Sequence, residues 1–209
     1  MARPLKYKNG DPSVSGIVDI IDKPGLRYWY GSKGTRECER VKRTSQAMGH
    51  QVHKAIELFL KGKSFDEASE GMTNDQQVML SYLTDWCNKT KIEVLSMEQP
   101  LHSEKYRYGG TPDAIATFDK GKTFCIVDWK TDSVPRDKAE TREREAKYSW
   151  QLAGYAIAYE EMHKVKINKG KMVRASKDLK FNVIEFDTLT EAKKEFKMLR
   201  KIYRRVKGK

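Results

Sequence analysis

Three consecutive apolar residues, Cys125-Ile126-Val127, run directly into Asp128-Trp129-Lys130. An apolar run without alternation has no face to give to water, so as a strand it is buried on both sides. That requirement suits a sheet with helices packed against it. Side chains alternate along a strand, so Asp128 and Lys130 share one face near its end. Charges placed immediately after a buried strand are costly unless they are paired or put to use.

The flanking sequence supplies the helices. Val14–Ile21 is a short apolar stretch after Asp11-Pro12-Ser13, a helix-start signal, and Lys23-Pro24-Gly25 breaks it. Leu26–Tyr30 is aromatic and expected in the core. Gln46–Leu60 and Asn74–Thr90 have helical periods, the first with Val52, Ile56, Phe59 and Leu60 on one face, the second with Met79, Tyr82, Leu83 and Trp86. Gly62 is a plausible stop for the first. Glu93–Leu101, Tyr106–Phe118 and Thr123–Lys130 read as strands, the last two joined through Asp119-Lys120-Gly121-Lys122. Residues 132–147 begin as a charged loop and turn helical, and Tyr148–Met162 is a helix. Lys171–Arg174 and Phe181–Phe186 suggest two strands, and Ala192, Phe196, Leu199, Tyr203 and Val206 mark a final amphipathic helix. The expected fold is α/β, a central mixed β-sheet flanked by helices with an N-terminal helical region. We expect a single domain over 1–209: a mainly helical part at 1–92, the sheet core at 93–188 and a basic helix at 189–209.

Charge separates the chain into two parts. Its net charge is +12. Residues 163–209 carry 16 Lys and Arg against 5 Asp and Glu, whereas residues 1–162 carry 25 against 24. Such an excess suits a polyanion, nucleic acid first and an acidic membrane surface second, or a plain solvated surface. The last quarter is a candidate DNA-holding surface, with Lys197, Arg200, Lys201, Arg204 and Arg205 as its expected contacts. No stretch reaches the roughly 20 apolar residues of a membrane span, and Met1–Asp11 lacks the apolar segment of a secretory signal. Residues 1–12 look like a loose arm. Cys38, Cys87 and Cys125 are far apart, which argues against a disulfide framework or a local zinc or iron–sulfur motif. A soluble protein of a reducing, intracellular compartment is expected.

Gly110-Thr-Pro-Asp113 lies fifteen residues before Asp128, and a hairpin can bring the two acids together. Adjacent carboxylates repel unless a cation separates them. Oxygen ligands suit Mg²⁺ or Mn²⁺, with the Trp129 carbonyl as a further donor. Lys130 would then stand beside the ion and orient a water. The alternative is ordinary ion pairing, Asp128 with Lys130 or Asp113 with Arg107. Gln151 and Tyr155, one turn apart, can bond a water, a base or a phosphate, or simply pack a helix. His53, with Glu57 to orient it or bind metal, is a candidate ligand, His50 is its rival, and a surface histidine is the ordinary case. His102 and His163 have no supporting context. Tyr28, Trp29 and Tyr30 either stack bases or fill the core.

In order along the chain stand Gly49-His-Gln-Val-His53, Gly110-Thr-Pro-Asp113, Asp128-Trp-Lys130-Thr131 and Gln151-Leu-Ala-Gly-Tyr155. This series resembles the PD-(D/E)XK nuclease superfamily in its RecB-like branch. Ser13-Val-Ser15, Pro24-Gly-Leu26 and Trp29 extend the likeness towards the mitochondrial genome maintenance exonuclease and its phage-encoded relatives. The resemblance implies a restriction-endonuclease-like core. It implies that His53, Asp113, Asp128 and the Trp129 carbonyl bind Mg²⁺ or Mn²⁺, that Lys130 positions water, and that Gln151 and Tyr155 contact water, base or phosphate. It selects His53 over His50. Three scattered cysteines fall short of the four that hold an iron–sulfur cluster in some relatives. No G-x-x-x-x-G-K-[ST] is present, so a motor would be another protein.

The expected activity is metal-dependent DNA exonucleolysis, from single-stranded ends. The alternatives are a structure-specific or nicking endonuclease, and a non-catalytic DNA-binding module on the same fold. A helicase, a single-strand-binding protein or an annealing protein are the partners such an activity implies, in a cytoplasmic setting, the host's if the chain is phage-encoded.

Overall fold

The computed structural model describes residues 10–21, 24–132, 137–176, 178 and 180–208, the side chains of 24–26 excepted. In chain order the elements are α1 (Val14–Val18), α2 (Pro24–Lys33), α3 (Thr35–Leu60), α4 (Phe65–Ala68), α5 (Asn74–Thr90), β1 (Glu93–Met97), β2 (Leu101–Ser103), β3 (Tyr108–Gly110), β4 (Ala114–Thr117), β5 (Phe124–Lys130), α6 (Lys138–His163), β6 (Lys169–Ala175), β7 (Phe181–Phe186) and α7 (Thr190–Lys207).

The main sheet has the order β1-β4-β5-β6-β7, and β2-β3 form a separate pair. β5 is central. It runs antiparallel to β4 and parallel to β6, and the outer pairs β1–β4 and β6–β7 are antiparallel. A parallel step needs a long crossover, which α6 supplies. The strand inferred from Cys125-Ile126-Val127 is buried on both faces as its composition requires. Ile126 joins one core with Leu152 and Ala156 of α6, Ile17 of α1 and Phe196 of α7. Cys125, Val127 and Trp129 join the other with Val52 and Ile56 of α3 and Leu83 and Trp86 of α5. The fold is therefore a mixed sheet between two helical layers, with a helical N-terminal region.

Local chemistry explains the boundaries. Ser13 caps α1, its hydroxyl accepting from the Gly16 amide at 2.9 Å. Thr73 and Gln76 form a capping box at the start of α5, which runs over the residues its periodicity predicts. Lys120 and Gly121 both adopt positive φ within the connection of residues 118–123 between β4 and β5.

Several expectations need correction. Leu26–Tyr30 is part of a helix, and Tyr28 is 78% exposed rather than in the core. Of the Lys23-Pro24-Gly25 break, Lys23 lies outside the described residues, and Pro24 opens α2, where its missing N–H costs nothing. α3 starts at Thr35, eleven residues before the predicted Gln46. The strand predicted over Glu93–Leu101 divides into β1 and β2, because Glu98 takes positive φ and Pro100 cannot donate to a ladder. Tyr106–Phe118 divides likewise into β3 and β4 around Thr111-Pro112-Asp113. α6 begins at Lys138, capped by the Asp137 side chain, so the segment 132–147, expected to start as a loop and turn helical, is helical over most of its length. Val206 is 63% exposed and does not share the buried face of α7. The predicted N-terminal arm lies, but for Gly10, Asp11 and Pro12, outside the described residues.

Candidate active site

Residues from three elements and one short connection meet at the C-terminal end of β5. Asp113 precedes β4, whose first residue, Ala114, pairs with Val127. Beyond that pair β4 is absent, and the Asp113 carboxylate takes the ladder's place, accepting the Trp129 N–H at 2.8 Å. A strand residue's N–H and C=O leave by the same edge, so the Trp129 carbonyl belongs to the edge that Asp113 covers. The other Asp113 oxygen lies 3.2 Å from His53 Nδ1 on α3. Asp128 is 3% exposed and ion-paired with Lys130, two residues along the same face. Gln151 of α6 donates its amide to the second Asp128 oxygen at 3.2 Å and to the Tyr155 hydroxyl at 3.1 Å. All the predicted site residues therefore lie in one connected group. Of the two ion pairs considered as alternatives, Asp128–Lys130 forms; Arg107 pairs with Asp11 instead of Asp113.

The electrostatics follow from burial. Removal from water is the largest influence on Asp128 and, with the nearby Asp113 charge, lifts its pKa to about 6 against the pull of Lys130. Burial also opposes ionisation of Asp113, but His53, Lys130 and the Trp129 amide outweigh it and hold its pKa below the usual carboxylate value. His53 is raised despite burial, because Asp113 faces it. Lys130 is raised likewise by the two carboxylates, again against burial. The group is a compact array of alternating charge.

Two glycines let the elements come this close. A methyl on Gly49 would stand 2.7 Å from Thr131 Oγ1, so a larger residue there would make that hydroxyl turn aside where α3 passes over the end of β5. A methyl on Gly110 would stand 2.5 Å from the Tyr155 ring. The open cleft above the group is lined by Lys42, Gln46, Gly49, His53, Lys130 and Asp132, among others.

His50 is exposed and lines the cleft without a bond to the group, and Glu57 is bound to Lys54 and Lys61 rather than to His53. His102 pairs with Asp11 and Glu104, and His163 bonds Gln99. Asp132 escaped prediction. Its Oδ2 accepts from Tyr148 at 2.7 Å and Arg144 at 3.0 Å, joining the start of α6 to the segment after Lys130. Its Oδ1 is buried with no hydrogen-bond partner. Its only sequence signal was a position two residues past Lys130. Among the described residues, no three His, Cys, Asp or Glu side chains form a ready-made metal cluster. The donor chemistry nevertheless fits a hard divalent ion, with two buried carboxylates, an imidazole and a backbone carbonyl.

A mixed sheet covered on both faces, with an acid and a lysine closing its central strand, is the architecture of the restriction-endonuclease-like fold. A model of the PD-(D/E)XK nuclease superfamily matches residues 24–208, and the chain belongs to that superfamily. Among solved structures it is similar to an alkaline exonuclease from Laribacter hongkongensis, with 11% identity, TM-score 0.45, and coverage of 95% of this chain and 94% of that one. A phage-related exonuclease from Haemophilus somnus 129PT is 13% identical, with TM-score 0.45 and 92% of each chain covered. The structure titled SSO0001 is 14% identical, with TM-score 0.45 and coverage of 92% and 77%. A search of curated proteins found no match. Among the described residues, no helix is long and apolar enough to cross a membrane.

Proposed function

We propose that this protein is a divalent-metal-dependent deoxyribonuclease that hydrolyses phosphodiester bonds from single-stranded DNA ends, within a single domain. The observation that carries the reading is the meeting of His53, Asp113, Asp128, Lys130 and Gln151 at one strand end, from segments up to about a hundred residues apart in sequence. His53, Asp113, Asp128 and the Trp129 carbonyl would hold Mg²⁺ or Mn²⁺. When bound, such an ion supplies positive charge against the phosphate oxygens and the leaving oxygen.

The chain's own groups do the rest. The Lys130 ammonium, paired with Asp128 at the strand end, would be placed to bind the attacking water and to offset charge developing on the phosphate. Its raised pKa keeps it cationic at neutral pH. Gln151 orients the Asp128 carboxylate, and the Tyr155 hydroxyl orients Gln151.

End-labelled linear strands, closed single-stranded circles and duplexes, each with Mg²⁺, Mn²⁺ or EDTA, test this. Loss of nucleotides from linear strands alone, abolished by EDTA and by Asp113→Asn, is the expected result. Cutting of circles would make the protein an endonuclease. Equal cleavage by the parent, Asp113→Asn and Lys130→Ala would refute the assigned centre.

A further inference from the structure

A groove of about 840 Å³ separates α7 from the turn between β2 and β3. None of the acid–lysine residues lines it. Seven of its twelve lining residues are Lys or Arg, and Asp11 is the only acid among them. Lys194, Lys197, Lys201 and Arg204 recur at helical spacing on one face of α7, over about 15 Å. Lys105 and Arg107 form the facing wall.

These cations have few counter-charges. Asp11 is engaged by His102 at 3.0 Å and by Arg107 at 3.5 Å, and Lys194 pairs with Glu191. Among the described residues, Lys105, Lys197, Lys201 and Arg204 have no carboxylate partner. Lys105 and Lys197 instead gather over the same Tyr106 ring, at 5.4 and 5.6 Å from its centroid. Beneath them Arg200, 6% exposed, donates to the Tyr106 and Arg107 carbonyls at 2.9 Å each. The turn is thereby fixed to the helix, and both walls are held in place. Burial and the neighbouring Arg204 and Arg107 charges hold the Arg200 pKa below its ordinary value. A rigid trough of like charges suits a ligand that carries negative charge at regular intervals along its length.

We infer that this groove is a second nucleic-acid site, which grips the phosphate backbone of the substrate several nucleotides from the bond being cut. The inference rests on the nuclease reading above. Arg107 and Asp113 are six residues apart, so the chain between them spans at most about 21 Å. At 3.4 Å per nucleotide of a stacked strand, that reach corresponds to at most about six nucleotides.

Fluorescence anisotropy with labelled 20-nucleotide single strands in EDTA, over a KCl series, reads the groove without cleavage. Lys197→Glu/Lys201→Glu should weaken binding about tenfold or more. Lys197→Gln/Lys201→Gln should lower the slope of log affinity against log salt by about 1.4, for two lost phosphate contacts. Hydrolysis of a dinucleotide, whose single internal phosphate is the one being cut, should match the parent, and both variants should melt with it. Lys89→Glu/Lys122→Glu, with the same change in net charge elsewhere, should bind as the parent does. Unchanged affinity and slope in the groove variants, as when the groove serves an acidic protein, would overturn the inference. Equal losses on 20-mer and dinucleotide, or in the control variant, would overturn it too. A parent that binds the 20-mer but hydrolyses nothing in Mg²⁺ or Mn²⁺ would refute the nuclease reading separately.

Discussion

Gly110→Ala should damage the centre from a distance, by steric means alone. Gly110 is buried in β3 and its φ is not positive, so backbone strain is not the reason. The added methyl would lie 2.5 and 2.9 Å from two Tyr155 ring carbons and 2.8 Å from Val14 Cγ2. Carbon atoms pack at about 3.5–4.0 Å, so the ring must retreat by roughly 1 Å. Overpacking of this kind costs about 1–3 kcal/mol. The displaced ring would also release the Gln151 amide, and with it the Asp128 oxygen that Gln151 holds. Urea unfolding followed by tryptophan fluorescence measures the stability term, and cleavage of labelled single strands measures the positional one. Tyr155→Leu makes room for the methyl. The double variant should therefore be more stable than the sum of the two single effects predicts, by about 1 kcal/mol, with the Val14 contact limiting the recovery. Strict additivity, or a Gly110→Ala protein as stable and active as the parent, would refute the reasoning.

The remaining predictions concern the same group and its supports. Gly49→Ala meets only the Thr131 hydroxyl, a group that can rotate, so its unfolding free energy should fall by less than about 1 kcal/mol in the same urea assay. His53→Ala should lower cleavage at least about tenfold, while His50→Ala, at an exposed position, should stay within about twofold of the parent, both in initial-rate assays. Lys130→Ala should reduce Mg²⁺-dependent cleavage by about a hundredfold or more, with far-ultraviolet circular dichroism confirming the fold. Arg200→Met should destabilise by about 2 kcal/mol in thermal or urea unfolding, since two carbonyls lose a charged donor.

The parts of the fold that could be read in advance are those where burial writes a pattern. α5 alternates its apolar residues with the helical period over its whole length, and β5 announces itself by an unbroken apolar run. The first half of α3 has only Cys38 and Val41 as apolar residues between Thr35 and Thr44, too few for a period. It is held by local pairs such as Glu37–Arg40 and by the Tyr30–Glu39 hydrogen bond, neither of which depends on hydrophobic spacing. The first turns of α6 are similar, laced by Glu140–Arg144 and Glu143–Lys147 pairs that read as a charged loop. In the site, the strand end and its motif aspartates were legible because charges beside a buried run demand an explanation. Asp132 was not, because nothing local distinguishes it from a solvated acid. Its meaning comes from Tyr148 and Arg144, which are brought to it by α6.

The crossover α6 has a consequence for when the centre can exist. His53 emerges from synthesis about a hundred residues before Gln151, and β5 must wait for β6, whose last residue is Ala175, before its second edge is paired. A nascent chain that ends before Gln151 holds the acids and the lysine without the helix that braces them, and one that ends before β6 leaves an edge of β5 unpaired. Cleaving power should thus switch on late and in one step, so that a ribosome-bound fragment leaves nucleic acid untouched. Its amide protons on β5, the innermost strand, should then be among the slowest in the finished protein to exchange with solvent.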